Sequence, residues 1–285
     1  MTFFLVTTNH LLKDILFRDD EDFRVAMNYV AIAAFITGVY VLAFILMSNH
    51  LHFVIACPYD KAVLFASRFK TLYGRYYARK YGTRNFMRRL GVDYRPVWTE
   101  DESLLRAIAY VQMNCVAANI CPYPYMYKWG TGSVFFNENK FHSRTLGEMS
   151  DTKQAKMLHS NVFLPRSYKV CDDGFILPES FVQVKFVQEQ FRSSNRYLYF
   201  LNTSSKAKAH MEKDAAPSFS DQVLVAAIRD LCHSLYRSVS FNELPQTDKS
   251  DLIKNIKRRF SADISQIGRV LGIPYEDVAR MMESI

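Results

Sequence analysis

The sequence predicts an α+β chain in which four strands form an antiparallel sheet with helices on one face, followed by an all-helical C-terminal region. Three observations lead there. Between residues 2 and 98, segments of strand and helix character follow one another in the order β-α-β-β-α-β. Ser48 and Asn49 separate two apolar runs by the two polar residues that a tight hairpin needs. Beyond residue 220 the apolar residues recur at the spacing of amphipathic helices.

Taken in order, residues 2–8 are rich in strand formers, and residues 19–36 read as a helix with acids at its start, where the helix dipole favours them. Thr37-Gly38 interrupts, and residues 39–47 return to strand character. Residues 50–57 form the returning strand, and 60–82 a basic, aromatic helix ended by Gly82. A short strand follows at 95–98. Thr99 with Glu102 three residues on has the pattern of a capping box, predicting a helix over 100–118. This order is the ferredoxin-like (RRM-like) split βαβ plan. Residues 136–220 hold a turn or hairpin, a helix and a polar linker, and yield no chemistry. Residues 221–236 and 249–260 are amphipathic helices, and "DISQIGRVLGIPYEDVARMM" reads helix, turn at Gly272, helix. That pattern is compatible with a helix-turn-helix that binds duplex DNA, and equally with a small helical bundle. The expected organisation is thus a domain at 1–135, an extension and linker at 136–220, and a helical domain at 221–285.

Composition narrows the function classes. The apolar fraction of 49% is that of a globular protein, and the formal charge is +8. Residues 60–100 hold ten Lys and Arg against three acids. Such a concentration suits a polyanion, nucleic acid first, although a solvated helix face has the same appearance. Five cysteines at 57, 115, 121, 171 and 232 form no C-x-x-C pair, so neither a disulfide framework nor a thiolate zinc site is expected, and a reducing cytoplasm fits best. Residues 29–47 run without a charge, long enough to be scored as a membrane span. Helix followed by buried strand accounts for the run, so no membrane is expected. "MTFFLVTTNHLL" has neither a basic start nor a small-residue cleavage site, so no signal peptide is expected.

The chemistry concentrates in "LMSNHLHFVIAC". In a strand, side chains alternate, so His50 and His52 stand together on one face while Leu51 and Phe53 point into the core. Two imidazoles at that spacing suit a metal or a phosphate. The helix "LLRAIAYVQMNCVAAN" places Leu104, Ile108, Val111 and Cys115 on its apolar stripe and stacks Tyr110 and Asn114 one turn apart on a neighbouring face. The amide could be a third ligand and the phenol a nucleophile. A core tyrosine and a mid-helix asparagine are the ordinary alternative, and Asn is a poor helix former with something to gain elsewhere.

"MSNHLHFVI" resembles the HUH signature of single-tyrosine transposases, and "YVQMNCVAANICPYPYMYKW" resembles the tyrosine segment of their REP-associated branch. Over residues 1–135, "FLVTTNHLLKDILFRDDEDF", the basic "FKTLYGRYYARKYG" and "KWGTGS" occur in the same order as the family's corresponding segments. The resemblance implies that His50, His52 and Asn114 bind a divalent metal, Mg²⁺ or Mn²⁺, and that Tyr110 attacks a scissile phosphate of single-stranded, hairpin-bearing DNA. It implies a 5′-phosphotyrosyl intermediate and a nucleoid-associated place in the cell. Lys70, Arg75, Arg79, Lys80, Arg84, Arg88 and Arg89 are the expected DNA contacts, with Tyr73, Tyr76, Tyr77 and Tyr81 either stacking on unpaired bases or packing. Tyr73 and Tyr77 are the next candidates for nucleophile. Gln112 and Cys115 depart from the family's histidine and proline. A non-catalytic DNA-binding regulator with the same fold is the second reading, and a homodimer is left open.

Overall fold

The computed structural model describes residues 1–9, 14–137, 143–204, 219–260 and 262–283, with the side chains of Arg89 and Glu283 outside the described set. Strand β1 (Phe3–Thr8) leads to helix α1 (Asp20–Thr37), then β2 (Tyr40–Met47), β3 (His50–Ala56), α2 (Tyr59–Tyr81) and β4 (Val92–Val97). The strands form one antiparallel sheet in the order β2-β3-β1-β4, with β1 paired to both β3 and β4. Met47 pairs with His50 across the two-residue turn Ser48-Asn49, as the sequence predicts.

Each helix boundary has a local cause. Asp19 caps α1 by accepting from the Asp22 N–H, and Gly38 ends it at φ +64°, which costs glycine nothing. The uncharged run at 29–47 therefore divides into the end of a helix and a strand. Among the described residues, no helix is long and apolar enough to cross a membrane. Helix α1 is apolar on nearly every side because it is covered twice, by the sheet and α2 on one flank and by residues 157–176 on the other. Buried Asn28 joins it to that second cover, donating to the carbonyls of Met157 and Gly174 and accepting from the Ile176 N–H at 2.8 Å. The first core thus runs past residue 135 to Leu201, through α5 (Asp151–Leu158), α6 (Val184–Phe191), α7 (Ser194–Thr203) and a small sheet of β5 (Ser143–Thr145) and β6 (Lys169–Cys171). The predicted linker at 205–218 lies outside the described residues.

The sheet is covered on both faces. Phe53 of β3 packs edge-on against Phe65 and Phe69 of α2, whereas its neighbour His52 meets helix α3 (Ser103–Gln112) on the opposite face. Helices on one face only were expected; the third layer buries β3 along its whole length. Helix α3 also begins later than the capping-box pattern predicts. Glu102 adopts φ +59° and makes no side-chain cap, while the Ser103 N–H is held by the Asp101 carboxylate at 2.9 Å. At its other end the helix is interrupted at Met113 before the short α4 (Asn114–Ala117).

The outer edge of β2 is closed by irregular chain. Gly130 bridges antiparallel to Ile45, and Val182 parallel to Val41. A Cβ at Gly130 would lie 2.7 Å from the Phe44 carbonyl oxygen, so only glycine permits this approach. At the other edge, β4 exposes Asp93, Arg95 and Pro96.

Four C-terminal helices, α8 (Asp221–Tyr236), α9 (Gln246–Phe260), α10 (Ile264–Leu271) and α11 (Tyr275–Glu283), form a second core around Leu224, Ile228, Leu252, Ile256, Ile267 and Val278. Hydrogen bonds tie this unit to the first, among them Ser48 donating to Asp221 at 2.5 Å and Gln222 donating to the Phe17 carbonyl. Asp221 is almost wholly buried and is held by a fork from Arg269, at 2.6 and 2.9 Å, and by Gln266 at 3.0 Å.

The tyrosines of α2 are structural. Tyr73 and Tyr77 are fully buried and donate to the carbonyls of Leu16 and Ile15. Those residues belong to the segment whose Leu16 and Phe17 N–H groups hold the Ser48 carbonyl. Tyr76 and Tyr81, with Lys80 and the Arg18 N–H, satisfy the buried carboxylate of Asp22. Neither Tyr73 nor Tyr77 can reach a substrate, and none of the four forms an open platform for bases. Lys80 is likewise engaged: burial alone would lower its pKa, but the hydrogen bonds it donates to Asp19, Glu21, Asp22 and Tyr76 hold it above its ordinary value. Lys80→Ala is expected to lower unfolding free energy in urea titrations by about 2 kcal/mol, because it strips the cation from a buried carboxylate that keeps three other donors.

Candidate active site

The hairpin turn delivers His50 and His52 to the α3 side of the sheet, one residue apart in β3. Their ring centroids are 4.8 Å apart at 83°. Tyr110, half-buried on α3, places its ring 5.3 Å from that of His52 at 88°. Three rings separated by up to 60 residues of sequence therefore meet in one edge-to-face cluster. The histidines are 6% and 2% exposed, so they face a second buried layer and not the open sheet face that strand alternation alone suggests.

Two neighbours orient these groups. Asn49 Oδ1 lies 2.8 Å from His50 Nδ1, a contact that suits the tautomer with its proton on Nδ1 and fixes the plane of the ring. Asn114 donates through Nδ2 to the carbonyls of Tyr110 (2.8 Å) and Val111 (3.4 Å), which turns its Oδ1 away from the helix backbone. Burial pushes the Tyr110 phenol above its ordinary value.

Gln112 anchors the helix. It donates at 2.8 Å to Thr131 Oγ1, which in turn accepts from the Phe44 N–H at 3.0 Å and donates to the Phe44 carbonyl at 3.1 Å. The turn that carries Tyr110 is thereby fixed to the covered edge of β2. Gln112→Leu is expected to cost about 1–3 kcal/mol in denaturant titrations, since both Gln112 and Thr131 are buried.

Strand register extends the site toward β4. Thr7 pairs with both His52 and Asp93, and Leu5 with Arg95. Directly paired residues share a face, so Thr7, Asp93 and Arg95 lead outward from His52. Thr7 is half-buried, and Asp93 and Arg95 are exposed. These residues, with Asn49, Gln112 and Thr131, escape sequence reasoning because their relevance comes from pairing with distant positions. Only Gln112 carried a signal, as a departure from the pattern of the family that the sequence resembles.

The donor set bears on which metal fits. Among the described residues, no group of three His, Cys, Asp or Glu could hold an ion. The structure brings the two imidazoles together, while Asn114 is held by its amide nitrogen to its own helix; two imidazoles alone are an incomplete set, whose further ligands would have to come from Asn114, substrate or water.

The predicted DNA contacts separate into groups. Lys70, Arg75, Arg84 and Arg88 line one open cleft of about 890 Å³ between α2, the turn Phe86–Arg89 and β4. Lys70 also donates to the Leu90 carbonyl at 2.5 Å, and burial lowers its pKa. Arg79 is outside that lining and lies beside Tyr29, where its charge partly offsets the upward push that burial gives the phenol. Lys80 is held in the Asp22 cluster, and the Arg89 side chain is outside the described residues.

Set against protein-family models, curated proteins and solved structures, the chain matches none of them.

In the C-terminal unit, the second helix of the Gly272 pair opens with Glu276 and Asp277, the latter 3.4 Å from Arg280. The exposed positive face belongs instead to α9, with Lys254, Lys257, Arg258 and Arg259. Inserting α11 into a major groove would set carboxylates against the DNA, so any backbone contact from this unit suits α9 better.

Proposed function

We propose that this chain is a metal-dependent DNA strand-transferase of the HUH single-tyrosine type, built on a ferredoxin-like sheet and acting on single-stranded, hairpin-bearing DNA. The observation that carries this reading is the meeting of His50, His52 and Tyr110 in one ring cluster, with Asn114 one turn beyond Tyr110. A lone H-x-H would be weak support; a tyrosine brought to it from another element supplies the missing nucleophile.

His50, His52 and Asn114 would hold Mg²⁺ or Mn²⁺. When bound, the ion supplies positive charge at the non-bridging oxygens of the scissile phosphate. Tyr110 Oη forms a bond to phosphorus as the P–O3′ bond breaks; the phenolic proton passes to solvent and the 3′ oxygen leaves as a hydroxyl. One phosphate ester replaces another, so rejoining to a 3′-OH needs no ATP. Asn49 and Gln112 are positioning residues, one acting through the His50 ring and the other through the helix that carries Tyr110.

The test is to incubate the protein with Mn²⁺ and labelled hairpin-bearing single strands and look for a covalent adduct on denaturing gels. The adduct is expected with metal and absent after chelation. No adduct on any strand of a varied panel, with folded protein, overturns the catalytic reading. The non-catalytic alternative draws on the basic cleft, which lies on α2, across the sheet from Tyr110. It requires affinity insensitive to chelation and to Tyr110→Phe, with a steep salt dependence.

A further inference from the structure

Past the end of α3, a second cleft of about 620 Å³ opens between the 122–137 segment and α7. Its inner wall includes Met113, Val116 and Tyr197, all buried. At its rim stand Tyr123 and Tyr125, 55% and 56% exposed, with ring centroids 5.4 Å apart and planes within 6° of parallel. Most aromatic side chains of this unit are packed away, so two parallel rings left in solvent at the mouth of an apolar cleft need a reason.

We infer that this cleft binds an unstacked nucleobase of a single strand, flanking the phosphate held at Tyr110. The inference rests on the proposed strand-transferase reading for its placement. Three features support a base as the occupant. Parallel exposed rings offer flat faces, and every base has a complementary π-face whatever its sequence. Ser194 and Asn202 in the same lining offer donors and acceptors for the polar edge of a base. Met113 follows Tyr110 by three residues, about 5 Å along a helix axis, so a strand seated at Tyr110 can continue into the cleft without a long excursion. The basic cleft on α2 lies across the sheet from Tyr110.

The experiment measures binding of a fluorescein-labelled DNA hairpin with single-stranded flanks by anisotropy, using the full chain without added metal so that no cleavage intervenes. Each flanking nucleotide is replaced in turn by an abasic residue. In the wild type, one abasic position near the scissile phosphate is expected to weaken binding about 10-fold, the scale of one lost stacking contact. Tyr123→Ala/Tyr125→Ala should weaken binding of the intact strand by a similar factor and lose the abasic effect, whereas Tyr123→Phe/Tyr125→Phe should keep both. The rings are exposed, so circular dichroism should show the variants folded. Unchanged affinity of the alanine variant overturns the inference, and an adduct still formed at Tyr110 would leave the transferase reading standing. Ring-dependent binding without any adduct supports the base site and removes the transferase. A wild type that binds no single strand overturns both.

Discussion

Tyr110→Phe is expected to abolish the covalent DNA adduct completely while leaving the fold intact. The substitution removes one oxygen and keeps the ring, so the edge-to-face contact with His52 at 5.3 Å persists. A thermal melt should therefore move little, and DNA affinity measured without metal should stay near wild type. The hydroxyl is irreplaceable in the proposed step because it becomes the ester oxygen of the intermediate. Tyr73 and Tyr77 cannot substitute, since both are sealed inside the core with their hydroxyls on main-chain carbonyls. An adduct that survives in the phenylalanine variant would move the nucleophile elsewhere in the chain. His52→Ala in parallel should also lose the adduct, because it removes a proposed metal ligand and the ring that faces Tyr110.

Asp221→Ala is expected to lower stability by about 3–5 kcal/mol, the cost of leaving a largely buried guanidinium without its carboxylate. Asp221 is 2% exposed and accepts from Ser48, Gln266 and both arms of the Arg269 fork. Urea unfolding followed by circular dichroism measures the loss. The double variant Asp221→Leu/Arg269→Met should recover much of it, because an apolar pair of similar volume removes both desolvated charges. A loss that persists in the double variant would assign the effect to the other two donors, Ser48 and Gln266. The position of Ser48 gives this bond a second meaning: its carbonyl is gripped by the Leu16 and Phe17 N–H groups and His50 follows two residues later. The C-terminal helices thus hold the turn that begins the histidine strand.

The sheet was legible in the sequence because its signals are local. Alternation marks the strands, Ser48-Asn49 marks the hairpin, and Gly38 and Gly82 mark two helix ends. The Tyr110–Asn114 stack and the His50–His52 pair were each legible from local spacing, but nothing local to either segment specifies that Tyr110 meets His52. Three matters were not legible. The second cover over β3 depends on where α3 returns, which no periodicity encodes. The tyrosines of α2 have the composition of a nucleic-acid surface, yet their hydroxyls serve buried carbonyls and Asp22, distinctions made only by tertiary contact. Lys80 carries the same formal charge as Arg75, but the acids that claim it lie some 60 residues earlier in the chain.

The two edges of the main sheet carry a consequence for behaviour at high concentration. An unpaired strand edge is a template on which another copy can add, the usual route to sheet-mediated aggregation. On the β2 side that route is blocked by Gly130 and Val182, whose backbone already occupies the edge. On the β4 side Asp93 and Arg95 place charge at the rim, and Pro96 has no N–H to offer an incoming strand. A chain with a buried, β-rich hairpin at its centre is thereby protected against polymerising through it.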